Sequence, residues 1–142
     1  MKIAIIHGPN LNMLGKRSKE HYGILTLDEI CDMIIEKFPS VDFIFFQSNH
    51  EGQIIDFIQD VYVDGLVINA GAYTHTSIAI RDALEILTIP KIEVHLSNIY
   101  LREPFRHTNY IKDVVLKTFY GEKELSYLKG IQFLVEKIQE IK

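Results

Sequence analysis

Short, continuously apolar segments alternate along the chain with longer segments in which apolar residues recur every three or four positions. The first kind is typical of strands buried on both faces of a parallel sheet, and the second of helices that bury one face. Pro39 and Pro90 follow two of the helical segments and mark their ends. The pattern predicts strands at residues 3–6, 41–46, 65–68, 92–94 and 114–116, and helices around residues 27–38, 54–62, 77–87 and 128–141.

Strands and helices alternate along the chain with short connections and no hairpin signal between them, which indicates right-handed crossover connections. The predicted fold is therefore α/β, a flavodoxin-like three-layer sandwich in which a five-stranded parallel sheet carries helices on both faces. The length of 142 residues, without repeat or linker, predicts a single domain over residues 1–142. In such a sheet the ligand site lies beyond the carboxyl ends of the strands, near the point where strand order reverses.

Composition and charge exclude several classes of protein. The net charge of −4 and the pI near 5.8 disfavour a nucleic-acid partner. The single cysteine, Cys31, has no disulfide partner, which is typical of a reducing, cytoplasmic compartment, and its position on a helical stripe predicts a core residue. No apolar run is long enough for a membrane span, and no His pair has metal-ligand spacing on a helix, so neither a membrane nor a metal is expected.

Polar side chains follow the first four predicted strands at the point where each one ends. A turn explains any one of them, but the carboxyl ends of parallel strands meet at one edge of a sheet, so their agreement predicts a site there. These residues are His7, Asn10 and Asn12; Gln47, Ser48 and Asn49; Asn69; and Glu93, His95, Ser97 and Asn98.

Arginine usage indicates the charge of the ligand. The chain has eleven lysines spread over its length but only four arginines, and Arg17, Arg102 and Arg106 lie in the two longest polar loops. Arginine is favoured where a planar fork must hold a carboxylate or an oxyanion, so we expect a small anionic substrate. No G-x-G-x-x-G turn and no Walker loop follows the first strand, which argues against a dinucleotide or a nucleoside triphosphate.

Four separated segments resemble the type II 3-dehydroquinate dehydratases. The resemblance implies a lyase of the shikimate pathway, and hence of chorismate and aromatic amino acid biosynthesis, that dehydrates 3-dehydroquinate to 3-dehydroshikimate. It implies anti elimination through an enolate, with no cofactor, metal or Schiff base. The segments are GPNLNMLG at 8–15 with Arg17 and Tyr22 behind it, QSNHEG at 47–52, NAGAYTHTS at 69–77, and IEVHLSN at 92–98 with Arg102 and Arg106 after it.

The resemblance implies that Tyr22 is the base and His95 the general acid. A nearby guanidinium favours a phenolate, and Arg17, five residues before Tyr22, can supply it. Glu93, two positions before His95 on the same strand face, can favour the imidazolium form. Asn10 is implied to stabilise the enolate oxygen through an ordered water.

A second group of residues is implied to bind the substrate. They are Leu96 and Ser97, whose backbone amides suit the carboxylate; Asn69, His75 and Arg106 for the ring hydroxyls; Arg102 for the lid and the anion; and Asp82, which reaches a neighbouring subunit's site.

The resemblance also implies a homo-oligomer, because the related enzymes are trimers assembled into dodecamers. The match fades beyond residue 110, where the segment 112–120 carries long charged and aromatic residues instead of small ones. We therefore expect trimers to form and contacts between trimers to be the part most affected.

Two alternatives from other classes stay open on the sequence. One is a catalytically silent binding domain that has kept the pocket. The other is a hydrolase using Ser77 with His75, although no nucleophile-elbow motif surrounds that serine. No role is predicted for His7, His21, His50 or His107.

Overall fold

The computed structural model describes residues 1–142 and contains one five-stranded sheet. Its strands are β1 (Lys2–His7), β2 (Asp42–Gln47), β3 (Gly65–Asn69), β4 (Lys91–Val94) and β5 (Thr118–Phe119). They lie in the order β2-β1-β3-β4-β5, and every neighbouring pair is parallel. This is the flavodoxin-like order, so the predicted fold class is confirmed. Strand order reverses between β1 and β3, whose last residues mark the expected ligand site.

Helices cover both faces of the sheet. None of them is both long enough and apolar enough to cross a membrane. The α-helices are α1 (Lys19–Tyr22), α2 (Leu27–Lys37), α3 (Glu51–Asp60), α4 (Ile78–Ile86) and α5 (Glu124–Ile141), and short 3-10 segments occur at Leu11–Met13, Gly71–His75, Ile99–Leu101, Pro104–His107 and Lys112–Val114.

Alternate residues of β1 face the two helical layers. Ile3 and Ile5 pack in the cluster that contains α2 and α5, whereas Ala4 and Ile6 pack in the cluster that contains α3 and α4. All four are fully buried. A strand covered on both sides needs an apolar residue at every position, which is why the continuous apolar run predicted it.

The fifth strand does not lie where the pattern predicted it, at residues 114–116. Val114 ends a 3-10 segment, and Val114 and Val115 pack against the α3/α4 core cluster as part of a connection. The strand itself is β5, in which Thr118 pairs with Glu93 and Phe119 with Val94. The apolar residues at 114–116 are therefore apolar because they pack in a connection, not because they form a strand.

Two helices bury fewer residues than the pattern predicted. Tyr62, predicted on the buried face of the second helix, lies beyond the end of α3 and is 96% exposed. In α2, Ile30 and Ile34 are buried, but Ile35 is 49% exposed and Cys31 is only half-buried. The helix touches the core along one i, i+4 line, so residues beside that line stay partly in solvent.

Candidate active site

A small cleft opens at the carboxyl ends of β1, β3 and β4, where the topology predicts a ligand site. Its volume is about 120 Å³, and three arginines and two histidines are among the residues that line it. Among the residues to which the family resemblance gives a role, Glu93 and Asp82 do not line it. Six of the polar residues predicted at the strand ends do not line it either: His7, Asn12, Gln47, Ser48, Asn49 and Asn98. Those that do are Asn10, Arg17, Tyr22, Asn69, His75, His95, Leu96, Ser97, Arg102 and Arg106.

Two glycines allow the loops after β1 and β3 to enter the cleft together. A Cβ at Gly8 would lie 2.4 Å from the carbonyl oxygen of Ala70, so only glycine fits there. Gly71 adopts a φ of 59°, a left-handed conformation that favours glycine, and packs against Pro9. The Gly8 amide also donates to the Asn69 carbonyl at 2.7 Å, which ties the two strand ends together.

The Tyr22 hydroxyl lies between two guanidinium groups. Tyr22 ends the one-turn helix α1, which forms inside a segment that the pattern predicted as loop. Its oxygen accepts hydrogen bonds from Arg17 Nη2 at 2.7 Å and from Arg102 Nη1 at 2.6 Å. The Arg17 guanidinium carbon also lies 3.7 Å from the centre of the Tyr22 ring. Both donors are charged groups, and hydrogen bonds from charged donors are stronger than neutral ones. The Arg17 contact was predicted, and the Arg102 contact was not.

The cleft carries positive charge that its own residues do not neutralise. Burial lowers the pKa of Arg17, and the nearby charges of Arg102 and Arg106 lower it further. Tyr22 acts on that pKa in the opposite direction. No acidic residue lines the cleft, and Glu103, at 3.0 Å from Arg106 and 3.6 Å from Arg102, is half-exposed. The charge balance favours an anionic ligand, as the arginine usage predicted.

Two backbone amides just beyond β4 are free to bind an anion. Leu96 and Ser97 are buried and line the cleft, yet neither N–H donates a hydrogen bond to another group of the protein. Adjacent backbone N–H groups without a partner in the protein are suited to bind an anion oxygen. The Arg102 side chain lies close by, with Nη1 3.4 Å from Ser97 Oγ.

The His95 imidazole lines the cleft and pairs with a buried carboxylate. Its Nε2 lies 2.6 Å from Glu93 Oε2, and its Nδ1 makes no hydrogen bond to the protein. Glu93 is fully buried and also accepts hydrogen bonds from Asn109 and Thr118. Burial raises the pKa of the Glu93 carboxyl, but the hydrogen bonds and the charge of His95 outweigh it and hold the pKa below its usual value.

His75 and Asn69 have fixed orientations in the cleft. The His75 Nδ1 lies 2.8 Å from the Thr108 carbonyl oxygen, which can only accept, so Nδ1 carries the proton and Nε2 is left for a ligand. Burial is the main cause that lowers the pKa of His75, so the ring is neutral at pH 7. The Asn69 amide donates to the Tyr127 hydroxyl at 3.0 Å and accepts from the Gly71 amide at 3.2 Å.

Asn10 and Asp82 stand in very different positions. Asn10 adopts a left-handed φ of 69°, its backbone amide donates to Asn49 at 3.0 Å, and its side chain lines the cleft without a partner in the protein. Asp82 lies exposed on α4 and outside the cleft of its own chain, so its role at a neighbouring site stays a prediction.

The geometry does not support the hydrolase alternative. Ser77 is buried, and its hydroxyl caps α4 by accepting from the Ile80 amide at 2.9 Å. No hydrogen bond joins it to His75, whose Nδ1 is engaged with Thr108. A serine nucleophile needs a base within hydrogen-bond reach, and this one has a capping role instead.

Sequence reasoning missed three polar residues that lie outside the cleft and form hydrogen bonds with Glu93 or Asn69. Asn109 and Thr118 bond to Glu93, and nothing in their sequence neighbourhood marked them. Tyr127 bonds to Asn69 and shares the helical spacing of Ile131 in α5, so its burial was detectable but its hydrogen bond was not.

Comparison with known proteins matches this chain to one family. The family described as dehydroquinase class II matches residues 1–135. The 3-dehydroquinate dehydratase of Roseiflexus castenholzii is 51% identical over 139 residues, covering 95% of this chain and 88% of that protein. That of Thermotoga maritima is 45% identical over 143 residues, covering 99% of each. The crystal structure of type II dehydroquinase from Butyrivibrio crossotus superposes with a TM-score of 0.91 at 47% identity, covering 94% of this chain and 97% of that one. The chain belongs to the class II dehydroquinase family.

Proposed function

We propose that this chain, acting as one catalytic domain over residues 1–142, dehydrates 3-dehydroquinate to 3-dehydroshikimate by anti elimination through an enolate. Membership of the family makes it a hydro-lyase, and 3-dehydroquinate dehydratase is the activity for which its relatives are named. The observation that carries the proposal is the pairing, in one cationic cleft, of Tyr22 between two guanidiniums with His95 against a buried carboxylate.

Tyr22 is the proposed base. As a phenolate it takes the proton alpha to the substrate ketone, and the electron pair of that C–H bond moves onto the ketone oxygen to form the enolate. Arg17 and Arg102 support this role because each donates a short hydrogen bond to the phenol oxygen. A positioned acid or base contributes about 10²–10⁴-fold to a rate.

Asn10 is the proposed stabiliser of the enolate, acting through an ordered water. Its side chain lines the cleft and makes no hydrogen bond to the protein, so its amide is available. An amide donates without carrying charge, and it therefore stabilises the developing oxyanion more than the neutral ketone.

His95 is the proposed acid. When the enolate collapses, the carbon–oxygen bond to the leaving hydroxyl breaks, and a proton from the imidazolium converts the hydroxide to water. Glu93 supports the charged ring through the 2.6 Å contact to Nε2, which leaves Nδ1 to deliver the proton.

The remaining cleft residues are proposed to bind the substrate. The free amides of Leu96 and Ser97 suit the carboxylate, and Arg102 lies beside them. Neutral His75, oriented Asn69 and the charged Arg106 suit the ring hydroxyls. No cofactor or metal is proposed, and the enzyme is proposed to act in the cytoplasm as a homo-oligomer without nucleic-acid or membrane partners.

A turnover assay tests this function. Dehydration creates an enone, so the ultraviolet absorbance should rise when purified protein is mixed with 3-dehydroquinate. His95→Asn and Arg17→Met variants should abolish most of that signal. A folded parent protein that binds 3-dehydroquinate without turning it over would be the silent binding domain instead.

The enolate route predicts no covalent adduct with lysine. No lysine lines the cleft, and the two that lie in or beside the motif segments, Lys16 and Lys91, are placed elsewhere: Lys16 is exposed and Lys91 starts β4 at the opposite end of the sheet. Borohydride added with the substrate should leave the enzyme active and its mass unchanged. A reduced lysine adduct in the mass spectrum would refute the mechanism.

A further inference from the structure

The Glu93 carboxylate accepts four hydrogen bonds although it is fully buried. Its Oε2 faces His95 Nε2 at 2.6 Å and Asn109 Nδ2 at 2.9 Å. Its Oε1 accepts from Asn109 Nδ2 at 3.0 Å and from Thr118 Oγ1 at 2.7 Å. Two side chains outside the cleft thus contact the partner of the proposed acid.

A buried His–Glu pair can hold one proton in two ways. The proton lies on the imidazole, leaving two charges, or on the carboxyl, leaving none. Burial favours the neutral arrangement, because taking two charges out of water is unfavourable. Donors to the carboxylate favour the charged arrangement, because they bind the ionised form more strongly.

We propose that Asn109 and Thr118 are positioning residues that keep the shared proton on His95 by holding the Glu93 carboxylate ionised. The inference rests on the proposed function, since only the imidazolium form of His95 can protonate the leaving hydroxyl.

The orientation of Asn109 is fixed by its own loop. Its Oδ1 accepts from the backbone amides of Ile111 at 2.8 Å and Lys112 at 3.1 Å, so its NH₂ group must face Glu93. An NH₂ group donates but cannot accept. A protonated Glu93 would therefore find no acceptor at Asn109, whereas the ionised form is bonded at both oxygens.

Thr118 is fixed by strand pairing. It is the residue of β5 that lies in register with Glu93 of β4, so the two side chains are direct neighbours on one face of the sheet. This contact depends on β5 beginning at Thr118 and would be absent if residues 114–116 formed the strand.

The variants proposed below replace no other titratable group near the His95–Glu93 pair. His75 interacts with both members of the pair: burial and the charges of His95 and Arg106 lower the pKa of His75, whereas the charge of Glu93 raises it. Tyr100, in the 3-10 segment Ile99–Leu101, faces Glu93, and burial is the main cause that raises the pKa of Tyr100. A change on replacing Thr118 is therefore attributable to its hydroxyl.

Thr118→Val tests the proposal with little change in volume. Loss of one hydrogen bond to a charged group should shift the balance between the two arrangements roughly 10- to 100-fold towards the neutral one. The imidazolium fraction of His95 should fall in ¹⁵N-histidine NMR spectra recorded without substrate, with its signal identified by its loss in His95→Gln. The kcat should fall with little change in KM, and the alkaline limb of the pH–rate profile should move to higher pH, because the neutral pair retains its proton longer.

Three variants serve as controls and as a second arm. Thr118→Ser retains the donor and should restore the parent spectrum. Thr74→Val removes another buried hydroxyl, one that makes no hydrogen bond to the protein, and should leave spectrum and activity unchanged. Asn109→Ala removes the donor to both oxygens of Glu93. Where this variant folds, the imidazolium fraction of His95 should fall further than in Thr118→Val.

A Thr118→Val protein with the parent His95 spectrum and the parent kcat would overturn the proposal, and so would an alkaline limb that moved to lower pH. The spectrum needs no substrate, so it decides the inference even if the parent protein failed to turn over 3-dehydroquinate. That second failure would instead refute the proposed function.

Discussion

Short contacts with charged groups hold the two side chains that are proposed to act in catalysis. Tyr22 has two guanidinium donors on its oxygen, and His95 has a carboxylate on one nitrogen. Both side chains line one cleft, Tyr22 as the proposed base and His95 as the proposed acid. Two of the most informative predictions therefore concern these residues.

Replacing Tyr22 with Phe should remove the base and leave the ring in place. We expect kcat to fall by at least about 10²–10⁴-fold with little loss of substrate binding, because only the proton acceptor is lost. Steady-state kinetics and a binding titration measure the two effects. Tyr62→Phe, at a tyrosine that is 96% exposed, is the matched control. A near-parental kcat for the Tyr22→Phe enzyme would show that Tyr22 is not the base.

Replacing Glu93 with Gln should remove the charge that favours the imidazolium form of His95. Hydrogen bonds hold the pKa of Glu93 below its usual value, so the residue is ionised at the pH of the assay. Without that charge His95 loses its proton earlier, and the alkaline limb of the kcat profile should move to lower pH. Glu36→Gln, at an exposed position of α2, controls for the substitution. An unchanged profile would make Glu93 purely structural.

At the scale of elements, the carboxy-terminal part of the chain supports a site that it does not line. β5 supplies Thr118 to Glu93, and α5 supplies Tyr127 to Asn69. β1 ends in His7, which is buried between Phe45 and Tyr127, with ring centroids 6.4 and 5.6 Å away. The strand ends are thus held by contacts beneath the cleft as well as by the sheet.

The burial of His7 predicts how the stability of the fold changes at acidic pH. Burial lowers the pKa of His7 from its ordinary 6.5 to about 3, so the unfolded chain takes up the proton first as the pH falls. The contribution of neutral His7 to the free energy of unfolding is fully present above pH 6.5. Between pH 6.5 and pH 3 it is lost by about 1.4 kcal/mol for each pH unit.

Denaturant unfolding at a fixed protein concentration between pH 7 and 4 measures this loss. His7→Gln should show a flatter pH dependence than the parent protein, because one titrating group has been removed. His50→Gln, which changes an exposed histidine, should keep the parental slope. Equal slopes for the His7 variant and the parent would contradict the assignment.

At the scale of the whole molecule, one surface of α4 bears on the predicted assembly. Ile78, Asp82 and Ile86 follow one another at i, i+4 spacing on α4, and the two isoleucines are 56% and 74% exposed. Asp82 thus lies between two exposed isoleucines, on the surface where the resemblance implies a contact with a neighbouring subunit. The family match over residues 1–135 includes this helix and also extends through the segment 112–120, beyond the point at residue 110 where the motifs end.

We expect the protein to be at least trimeric, and dodecameric if contacts between trimers survive the altered segment. Asp82→Ala should lower kcat without unfolding the subunit, because Asp82 is exposed in its own chain and would act at a neighbour's site. Light scattering measures the assembly, and circular dichroism checks the fold. Asp56→Ala, at an exposed aspartate of α3, is the control. A fully active monomer at assay concentration would contradict the prediction.

The sequence by itself determined the fold class and most of the cleft. Apolar runs predicted β1 to β4, continuous in β1 and β3 because a strand covered on both faces is almost wholly apolar, and helical spacing predicted the layers that cover them. Parallel topology then required the polar strand ends to meet, and local motifs identified Tyr22 with Arg17 and His95 with Glu93, pairs that lie within five residues of each other.

Only the tertiary structure decided which distant groups meet. The Arg102–Tyr22 contact joins residues 80 positions apart, Asn69–Tyr127 joins residues 58 apart, and Thr118–Glu93 depends on where β5 begins. Hydrophobic periodicity reports whether a residue is buried, and Val114 is partly buried in a loop as it would be in a strand. Register, and the partner of each buried polar atom, follow from the packing of whole layers, which no local pattern records.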